Sequence, residues 1–403
     1  MDNKKEKKEK RRQQISLLRT IPYSDHQSRA HDITVSTATV ECKTENCHNA
    51  HVDYTEDVKN LSTTDIAHMK DVIVDVCDVD KPVPHTTQVE VPGDDMPIVC
   101  GSASALEVLM ASPKIKSSEN EWWTSETIAV VTGANRGIGF EIVHQLALHG
   151  LTVILTSRET GVGEEAAKVL QEGGLNVVFH QLDIIDPPSI QTFVEWVKIN
   201  YGGIDILVNN AGVNFNAASD NSVEHAEKVI GTNYFGTKNM IKAMIPLFRP
   251  SDAGARIVNV SSRLGRLNGR RNRIENAELR KQLEDDEALS EELIDKTMNT
   301  FLEQVKDGTW LDGGWPHVFT DYSLSKLAVN TYTRLMARIF ADRPEGQKIY
   351  INSYCPGWVR TAMTGWAGHI SPEDGADTAV WLALLPEQFV TGKFFSERRE
   401  IHF

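Results

Sequence analysis

Tyr322 and Lys326 lie four residues apart, a spacing that places both side chains on one face of a helix. A tyrosine phenol has an ordinary pKa of about 10, and a neighbouring ammonium lowers that pKa because it stabilises the phenolate. The phenol can then donate its proton to a carbonyl oxygen while a hydride reaches the carbonyl carbon. Ser262, which follows an apolar run, could hydrogen-bond the same oxygen. These three residues predict the reduction of a carbonyl group.

A hydride needs a carrier, and a glycine-rich loop earlier in the chain predicts a site for one. The apolar run 128–131 predicts a buried strand, and the stretch 137–149 has the spacing of an amphipathic helix. Glycines between a strand and a helix let the backbone approach a pyrophosphate, and the start of the helix supplies unpaired N–H groups. The loop residues predicted to contact a dinucleotide are Thr132, Gly133, Asn135, Arg136, Gly137, Ile138 and Gly139.

The end of the second predicted strand indicates which dinucleotide is bound. An acidic residue at this point would bind the ribose 2′-hydroxyl of NAD, but the sequence has Ser157 followed by Arg158. The guanidinium groups of Arg158 and Arg136 suit a 2′-phosphate, which predicts NADP(H) as the cofactor and Ser157 and Arg158 as contacts. The alternative is that Arg158 is an ordinary surface residue and that Glu159 binds the ribose.

Two further strand ends predict cofactor contacts. Asp183 ends the third predicted strand and could accept a hydrogen bond from the adenine amino group. The fourth strand ends in two asparagines, an alanine and a glycine. Small residues there let the cofactor pass close to the backbone, and amide side chains fix the loop geometry. The predicted contacts from this loop are Asn210, Ala211 and Gly212.

The elements that must position these residues predict an α/β protein. Apolar, β-branched runs alternate with longer amphipathic stretches, which predicts a Rossmann-like, doubly wound parallel sheet with helices on both faces. Ligands of such sheets bind beyond the carboxyl ends of the strands, where the strand order reverses. The predicted strands are 128–132, 152–157, 176–181, 204–209, 256–261, 348–354 and 391–395, and the predicted helices include 137–149, 162–172, 188–200, 222–247, 323–341 and 372–384.

Charge divides the chain into three regions. Residues 1–21 form a basic tail with eight Lys/Arg and three Asp/Glu, and residues 22–120 are acidic, with seventeen Asp/Glu and seven Lys/Arg. The acidic region lacks apolar periodicity, so we predict a largely disordered N-terminal extension before a regular domain at 121–403. Cys42, Cys47, His48 and His51 could bind zinc in this region, but their loose spacing favours unpaired thiols, and we predict no metal site.

Composition limits the classes of partner and the compartment. The chain has 403 residues and a net charge of −14, which disfavours nucleic acid and anionic membranes as partners. No apolar run is long enough to span a bilayer, and the basic N-terminus lacks the apolar core of a secretory signal. Five scattered cysteines favour a reduced compartment. We expect a cytoplasmic protein, with nuclear entry through the basic tail as an alternative.

The region from about Glu121 to Phe403 resembles the short-chain dehydrogenase/reductase family. The motifs that carry the resemblance are TGANRGIG, LDI, NNAG, IVNVSS, YSLSK and PGWVRT. The resemblance implies that Asn233 anchors a water molecule that links Lys326 to solvent. It favours Ser262 over Ser261 as the catalytic hydroxyl. Further cofactor contacts are expected from Tyr322, Lys326, Pro356, Gly357, Val359 and Thr361.

The resemblance has one informative departure, because residues 263–321 separate Ser262 from Tyr322, where the common family form has about a dozen residues. This insertion includes a Glu/Leu-rich helical stretch from about Ile274 to Val305. It is similar to the insertion of the monomeric carbonyl reductases, including plant menthone and salutaridine reductases, in which the inserted helix covers the surface that other members use to form oligomers. The resemblance therefore implies a monomer. The insertion also has a basic cluster, which we expect to be solvated or paired, with attraction of an anionic substrate as the alternative: Arg263, Arg266, Arg270, Arg271 and Arg273.

A second departure lies at residues 28–120. Plant members resemble this chain in having a basic N-terminal run close to a Trp-Trp sequence, here Trp122 and Trp123. Residues 22–27 would join directly to that sequence. We therefore expect residues 28–120 to be an insertion relative to those members.

The leading hypothesis is NADPH-dependent reduction of a ketone or aldehyde, with a small-molecule carbonyl compound as substrate. The alternative from another class is an NADP(H)-sensing interaction module, which would not need Ser262 and Lys326. An epimerase or dehydratase agrees less well, because the GxxGxxG loop and larger C-terminal region of those relatives do not occur here. Five side chains suggest an apolar substrate pocket or, equally, a role in the core: Trp310, Trp315, Phe319, Met363 and Trp366.

Overall fold

The computed structural model describes residues 36–39, 51–54, 121–215, 222–270, 272–386 and 390–403. Strands β1 (Ser36–Thr39) and β2 (His51–Tyr54) form an antiparallel pair in a compact unit of their own. The predictions for the basic tail and for the zinc ligands Cys42, Cys47 and His48 lie outside the described residues. So does the prediction of disorder over 22–120, apart from these two strands.

The rest of the described chain contains an eight-stranded sheet that confirms the predicted fold class. The strand order is β10-β9-β8-β7-β6-β3-β4-β5, and all neighbours are parallel except β9 and β10. Because β3 lies between β4 and β6, the strand order reverses at the carboxyl end of β3. The strands are β3 (Ile128–Val131), β4 (Thr152–Ser157), β5 (Val177–Gln181), β6 (Ile206–Asn209), β7 (Ala255–Val260), β8 (Ile349–Tyr354), β9 (Phe394–Ser396) and β10 (Arg399–Glu400).

Helices connect the strands and begin and end where local sequence dictates. In α3, Pro187 occupies the first helical position, the Asp186 carboxylate accepts a hydrogen bond from the backbone N of Ser189 at 3.1 Å, and Gly202 ends the helix at φ 69°. The helices are α1 (Gly137–Leu148), α2 (Thr160–Glu172), α3 (Pro187–Tyr201), α4 (Val223–Ile230), α5 (Thr237–Met244), α6 (Ala277–Glu284), α7 (Glu291–Asp307), α8 (Thr320–Ala341) and α9 (Pro372–Leu384). None of these described helices is long and apolar enough to cross a membrane.

The core has two layers, one on each face of the sheet. Successive side chains of a strand point to opposite faces, so Ile128 and Val130 belong to one layer, and Ala129 and Val131 to the other. Buried residues of α3, α4, α5, α7 and α8 belong to the first layer, and those of α1, α2 and α9 belong to the second. All four residues of β3 are therefore buried, which explains its continuous apolar sequence.

The predicted insertion contains two helices, α6 and α7, rather than one helical stretch. The backbone is extended at Asp285, and a new helix begins where the Ser290 hydroxyl accepts a hydrogen bond from the backbone N of Leu293 at 3.2 Å. Helix α7 packs against α4 and α8. Its buried face consists of Ile294, Thr297, Met298, Phe301 and Val305.

Candidate active site

Two loops at the strand-order reversal are joined by hydrogen bonds. The Thr132 hydroxyl accepts from the backbone N of Asn210 and of Ala211, both at 3.0 Å. The Asn210 side-chain amide donates in return to the carbonyl oxygens of Thr132 and Gly133, both at 2.9 Å. The loop after β3 and the loop after β6 therefore form one rigid floor beneath the crevice.

Glycine is required at two positions of this floor. Gly133 has a φ of 60°, and a Cβ on it would lie 2.8 Å from the Cα of Ala211. A Cβ on Gly139 would lie 2.3 Å from the side-chain nitrogen of Asn210. Helix α1 begins at Gly137, and the side chain of its N-cap residue, Arg136, makes no capping hydrogen bond. Bare backbone and a helix N-terminus at one place fit the pyrophosphate of a dinucleotide.

The residues predicted to select NADP(H) lie at the carboxyl end of β4. The Ser157 hydroxyl donates to the carbonyl oxygen of Glu159 at 2.7 Å, which fixes the turn into α2. The side chains of Arg158 and Glu159 are both exposed there, so the geometry is compatible with either as the ribose contact. In the loop after β5, Asp183 is half-buried and accepts from the backbone N of Ile185 at 3.1 Å.

Asn233 lies in a π-helical turn, Gly231–Gly236, that joins α4 to α5. Its side-chain nitrogen donates to the Val213 carbonyl and to the Ser325 hydroxyl, both at 3.0 Å, and its oxygen accepts from the Val213 backbone N at 2.8 Å. The side chain thereby ties the loop after β6 to helix α8. The sequence pattern predicted an uninterrupted helix over 222–247 and gave no sign of this turn, a feature that is common at functional sites.

The two candidate serines have different environments. The Ser261 hydroxyl is buried and donates to the carbonyl oxygen of Lys326 at 3.2 Å, which is a structural contact. The Ser262 hydroxyl accepts from the backbone N of Leu264 at 3.2 Å and is hydrogen-bonded to Tyr322. Ser262 is therefore the serine that shares the environment of the phenol.

Tyr322 and Lys326 lie on the first turns of α8, next to Ser262. The Lys326 ammonium nitrogen lies 5.6 Å from the centre of the Tyr322 ring and donates to the Val260 carbonyl at 2.9 Å. Burial lowers the pKa of Lys326 to about 8, although the nearby Cys355 opposes this shift. A side chain on Gly212 would approach both Asn233 and Lys326, at 3.1 and 3.5 Å from its Cβ, so these two groups meet beneath the same glycine.

The pKa of Tyr322 differs from the sequence expectation. Burial raises it well above its usual range, Cys355 raises it further, and the hydrogen bond with Ser262 lowers it. Burial therefore sets the direction of the shift, and the groups that move this pKa do not include Lys326, so the depression expected from its charge is not seen. Cys355, a buried free thiol at the end of β8, therefore influences both groups, and the sequence analysis did not single it out.

The start of α8 is held by the insertion. Phe319, at the N-cap, has a left-handed backbone (φ 46°, ψ 59°), which costs a non-glycine residue about 1–2 kcal/mol. The Asn272 side chain accepts from the backbone N of Val318 at 3.0 Å and donates to the Ser323 hydroxyl at 3.0 Å. These contacts fix the direction in which Tyr322 leaves the helix. No local sequence pattern indicates them.

The segment after β8 crosses the start of α1. Gly357 has a φ of 80°, and the buried Val359 forms a β-bridge with Ile370. Thr361 begins a short helical turn, and a Cβ on Gly137 would lie 3.4 Å from its methyl group. The structure therefore brings Pro356–Thr361 to the same crevice as the glycine loop.

The proposed pocket residues separate into two groups. Trp315 is buried in the core, with its ring nitrogen donating to Gln304 at 2.7 Å and its ring edge against Phe301, so its role is structural. Trp310 also packs against that core. Met363 is 46% exposed, and Trp366 has a left-handed backbone at φ 66° in the loop after Thr361.

The basic cluster does not lie uniformly in solvent. Arg263 is buried and Arg266 is half-buried, whereas Arg270 and Arg273 are exposed; Arg271 lies outside the described residues. Within the described part of the chain, no group of three or more His, Cys, Asp or Glu side chains could hold a metal ion.

A parallel sheet with a glycine-lined floor at its reversal point is the architecture of dinucleotide-dependent enzymes. Residues 127–273 match the family model described as short chain dehydrogenase. The carbonyl reductase (NADPH) 1 of Bos taurus is 40% identical over 285 residues, which cover 70% of this chain and 99% of the relative. The (+)-neomenthol dehydrogenase of Arabidopsis thaliana is 40% identical over 299 residues, which cover 68% of this chain and 97% of the relative. The chain belongs to the short-chain dehydrogenase/reductase family.

Solved structures give the same assignment. Salutaridine reductase from Papaver somniferum is 36% identical and superposes with a TM-score of 0.61 over 67% of this chain and 99% of that protein. The matched part of both comparisons is about two thirds of the chain, and it accounts for nearly the whole of each relative.

Proposed function

We propose that Tyr322 is the proton donor in an NADPH-dependent reduction of a ketone or aldehyde to an alcohol. The chain is a carbonyl reductase of its family, and relatives at about 40% identity include carbonyl reductase (NADPH) 1 and (+)-neomenthol dehydrogenase. Bound NADPH would supply a hydride to the carbonyl carbon. The cofactor is NADP(H), which fits the glycine-lined floor and the arginine after β4.

Each residue around the phenol has a proposed task. Tyr322 donates its proton to the carbonyl oxygen, and Ser262 hydrogen-bonds the same oxygen. The Lys326 ammonium stabilises the phenolate that forms and holds the nicotinamide ribose. Asn233, fixed by Val213 and Ser325, anchors the water that returns a proton through Lys326.

Cofactor contacts are proposed for the rest of the crevice. The pyrophosphate would lie along the loop after β3, with Arg136 and Arg158 binding the 2′-phosphate and Asp183 the adenine. As the family resemblance implies, Val359 would contact the carboxamide and Thr361 a phosphate. The complete set is Thr132, Gly133, Asn135, Arg136, Gly137, Ile138, Gly139, Ser157, Arg158, Asp183, Asn210, Ala211, Gly212, Tyr322, Lys326, Pro356, Gly357, Val359 and Thr361.

A single observation carries the proposal. The hydroxyl of Tyr322 is hydrogen-bonded to Ser262, and the ammonium of Lys326 lies 5.6 Å from the Tyr322 ring, beneath the same glycine as Asn233. A proton donor, a second donor to the carbonyl oxygen and a cation that stabilises the phenolate thus meet at the crevice, which is what hydride transfer to a carbonyl needs.

The substitution Tyr322→Phe tests the proposal. We expect kcat to fall by about 10²- to 10⁴-fold, because a general acid contributes that much, while NADPH binding, followed by the change in cofactor fluorescence, is retained. Tyr332→Phe is the matched control, since Tyr332 is a buried tyrosine on the same helix and its hydroxyl has no hydrogen-bond partner. Near-normal turnover of Tyr322→Phe would refute the role. A wild-type chain that binds NADPH but reduces no carbonyl compound would favour the sensing module instead.

Two further proposals concern the whole protein. We propose a monomer, because α7 covers α4 and α8, and a small-molecule carbonyl compound as the substrate. The cytoplasmic location stays a prediction from composition.

A further inference from the structure

The inserted helix α7 reaches the segment that carries Asn233. We propose that Asp295 on α7 is a positioning residue for carbonyl reduction: it holds Tyr234 and Lys238 and so fixes the π turn from which Asn233 enters the active site. This inference rests on the function proposed above. It gives the insertion a task in the reaction besides covering a surface.

The π turn at Gly231–Gly236 needs support from its surroundings. Such turns are rare and occur mostly as single turns within α-helices, so we expect neighbouring contacts to stabilise this one. Asn233 and Tyr234 are adjacent in this turn and have different partners. Asn233 bonds to Val213 and Ser325, and Tyr234 bonds to α7. Because the two residues share a peptide unit, a displacement of Tyr234 also displaces Asn233.

Asp295 contacts the turn at two points. It accepts a hydrogen bond from the Tyr234 hydroxyl at 2.7 Å. Both of its carboxylate oxygens accept from the Lys238 ammonium, at 2.8 and 2.6 Å. The side chain of Lys238 is only 8% exposed, so its charge needs a carboxylate partner to remain buried. The bonds span the turn, because Tyr234 lies within it and Lys238 lies in the first turn of α5.

The Tyr234 hydroxyl stays protonated and therefore always acts as the donor in its hydrogen bond to Asp295. Burial raises the pKa of Tyr234 well above its ordinary value, and the hydrogen bond to Asp295 raises it further. The phenol therefore remains neutral and donates to the carboxylate at all working pH values. Lys238 also lies 5.5 and 5.1 Å from the ring centres of Tyr234 and Phe235, which adds cation–ring attraction.

The neighbouring carboxylate, Glu291, cannot replace Asp295. It accepts a longer bond from Lys238, at 3.3 Å, and its short bond, at 2.5 Å, comes from the half-exposed Lys242. Loss of Asp295 would thus leave Lys238 with only the longer bond to Glu291 and leave the Tyr234 hydroxyl without its acceptor. Both changes would weaken the contacts that hold the π turn against α7.

The consequence for the reaction follows from the bonds of Asn233. They join Val213, in the loop after β6, to Ser325, the residue before Lys326. A misplaced Asn233 would disturb the proton path and the position of Lys326, but it would leave the glycine loop that holds the pyrophosphate intact. The effect should therefore appear in kcat and not in the KM for NADPH.

The test compares Asp295→Asn with Glu292→Gln, a matched loss of one charge at an exposed position of the same helix. For Asp295→Asn we expect kcat to fall on the order of tenfold, as for a small misplacement of a catalytic group, with an unchanged KM for NADPH. Deuterium uptake at residues 209–215 and 231–236 should be faster. Glu292→Gln should match wild type in all three measurements.

Tyr234→Phe decides the outcome if Asp295→Asn does not fold, because it removes one hydroxyl and keeps the Lys238–Asp295 pair. If Asp295→Asn folds and has the kcat and the exchange rates of the wild type, the inference is overturned. If Asp295→Asn does not fold, the same result for Tyr234→Phe overturns it. If the wild-type chain reduced no carbonyl compound, the proposed function would fail on its own. Exchange at residues 209–215 would still decide whether Asp295 fixes Asn233: faster uptake supports the inference, and unchanged uptake overturns it.

Discussion

At the scale of single residues, the charge of Lys326 sets the pH range of the reaction. Burial lowers its pKa to about 8, so the side chain is an ammonium below that pH and a neutral amine above it. Burial raises the pKa of Tyr322, which therefore stays protonated over this range. We predict that kcat/KM for carbonyl reduction falls as the pH rises through about 8, because the neutral amine no longer stabilises the phenolate.

The control for this prediction is Lys326→Arg. A guanidinium keeps its charge beyond about pH 12, so the fall near pH 8 should be absent even if the absolute rate is lower. The measurement is the initial rate of NADPH oxidation at low carbonyl concentration between about pH 6 and 10, since kcat/KM reports the ionisations of the free enzyme. The same descending limb in both proteins would show that another group is responsible.

The choice of cofactor is also decided by single residues. We predict that Arg158→Gln raises the KM for NADPH roughly ten- to hundredfold, the equivalent of about 1.5–3 kcal/mol for a charge-assisted hydrogen bond, and leaves the KM for NADH nearly unchanged. Glu159→Gln separates the alternatives. If Glu159 binds the ribose, that substitution will weaken NADH binding, and Arg158→Gln will not distinguish the two cofactors.

Sequence patterns indicated the reactive residues but not their electrostatic environment. The spacing of Tyr322 and Lys326 predicted that they share a helix face, and the structure places both on α8. The direction of the Tyr322 pKa shift could not be predicted, because burial and the neighbouring Cys355 depend on strands distant in sequence. The left-handed backbone of Phe319 was equally hidden, since phenylalanine gives no local indication of a positive φ.

At the scale of elements, the turn from β3 into α1 depends on glycine at position 133. We predict that Gly133→Ala destabilises the protein by about 1–3 kcal/mol and weakens NADPH binding, because the new methyl group meets the Ala211 backbone. The control is Gly161→Ala in the first turn of α2, where a Cβ meets no atom within 4 Å. It should be neutral or stabilise by up to about 1 kcal/mol. Urea unfolding measures both, and equal midpoints would contradict the argument.

The regular elements were predictable because each obeys a local rule. Strand β4 and helix α9 have the predicted bounds, 152–157 and 372–384. The last strand was less well placed: 391–395 was predicted, whereas β9 spans Phe394–Ser396, and β10 was not predicted. The π turn could not be foreseen either, because its apolar spacing matches that of an ordinary helix, and it is stabilised by partners on α7 and α8.

At the scale of the whole molecule, the insertion joins the outer surface to the active site. Asn272 holds the start of α8, and Asp295 holds the π turn beside Asn233. Both are more than 30 residues from the groups that they position, a separation for which sequence periodicity gives no information. Family resemblance predicted that the insertion exists and is helical. Its contacts to the active site became apparent only when the folded chain brought α7 against α4 and α8.

The same packing predicts the oligomeric state. The apolar face of α7, with Ile294, Met298, Phe301 and Val305, is buried against α4 and α8. The family resemblance implies that this helix covers the surface that members without the insertion use to associate. Because this surface is already covered, we predict a monomer of 44.9 kDa. Light scattering after size exclusion, over a hundredfold range of protein concentration, measures the mass directly. Replacing both Met298 and Phe301 by Asp should expose α4 and α8 and promote association or unfolding. A stable wild-type species of twice the chain mass would contradict the prediction, and it would place the interface on a surface other than the one that α7 covers.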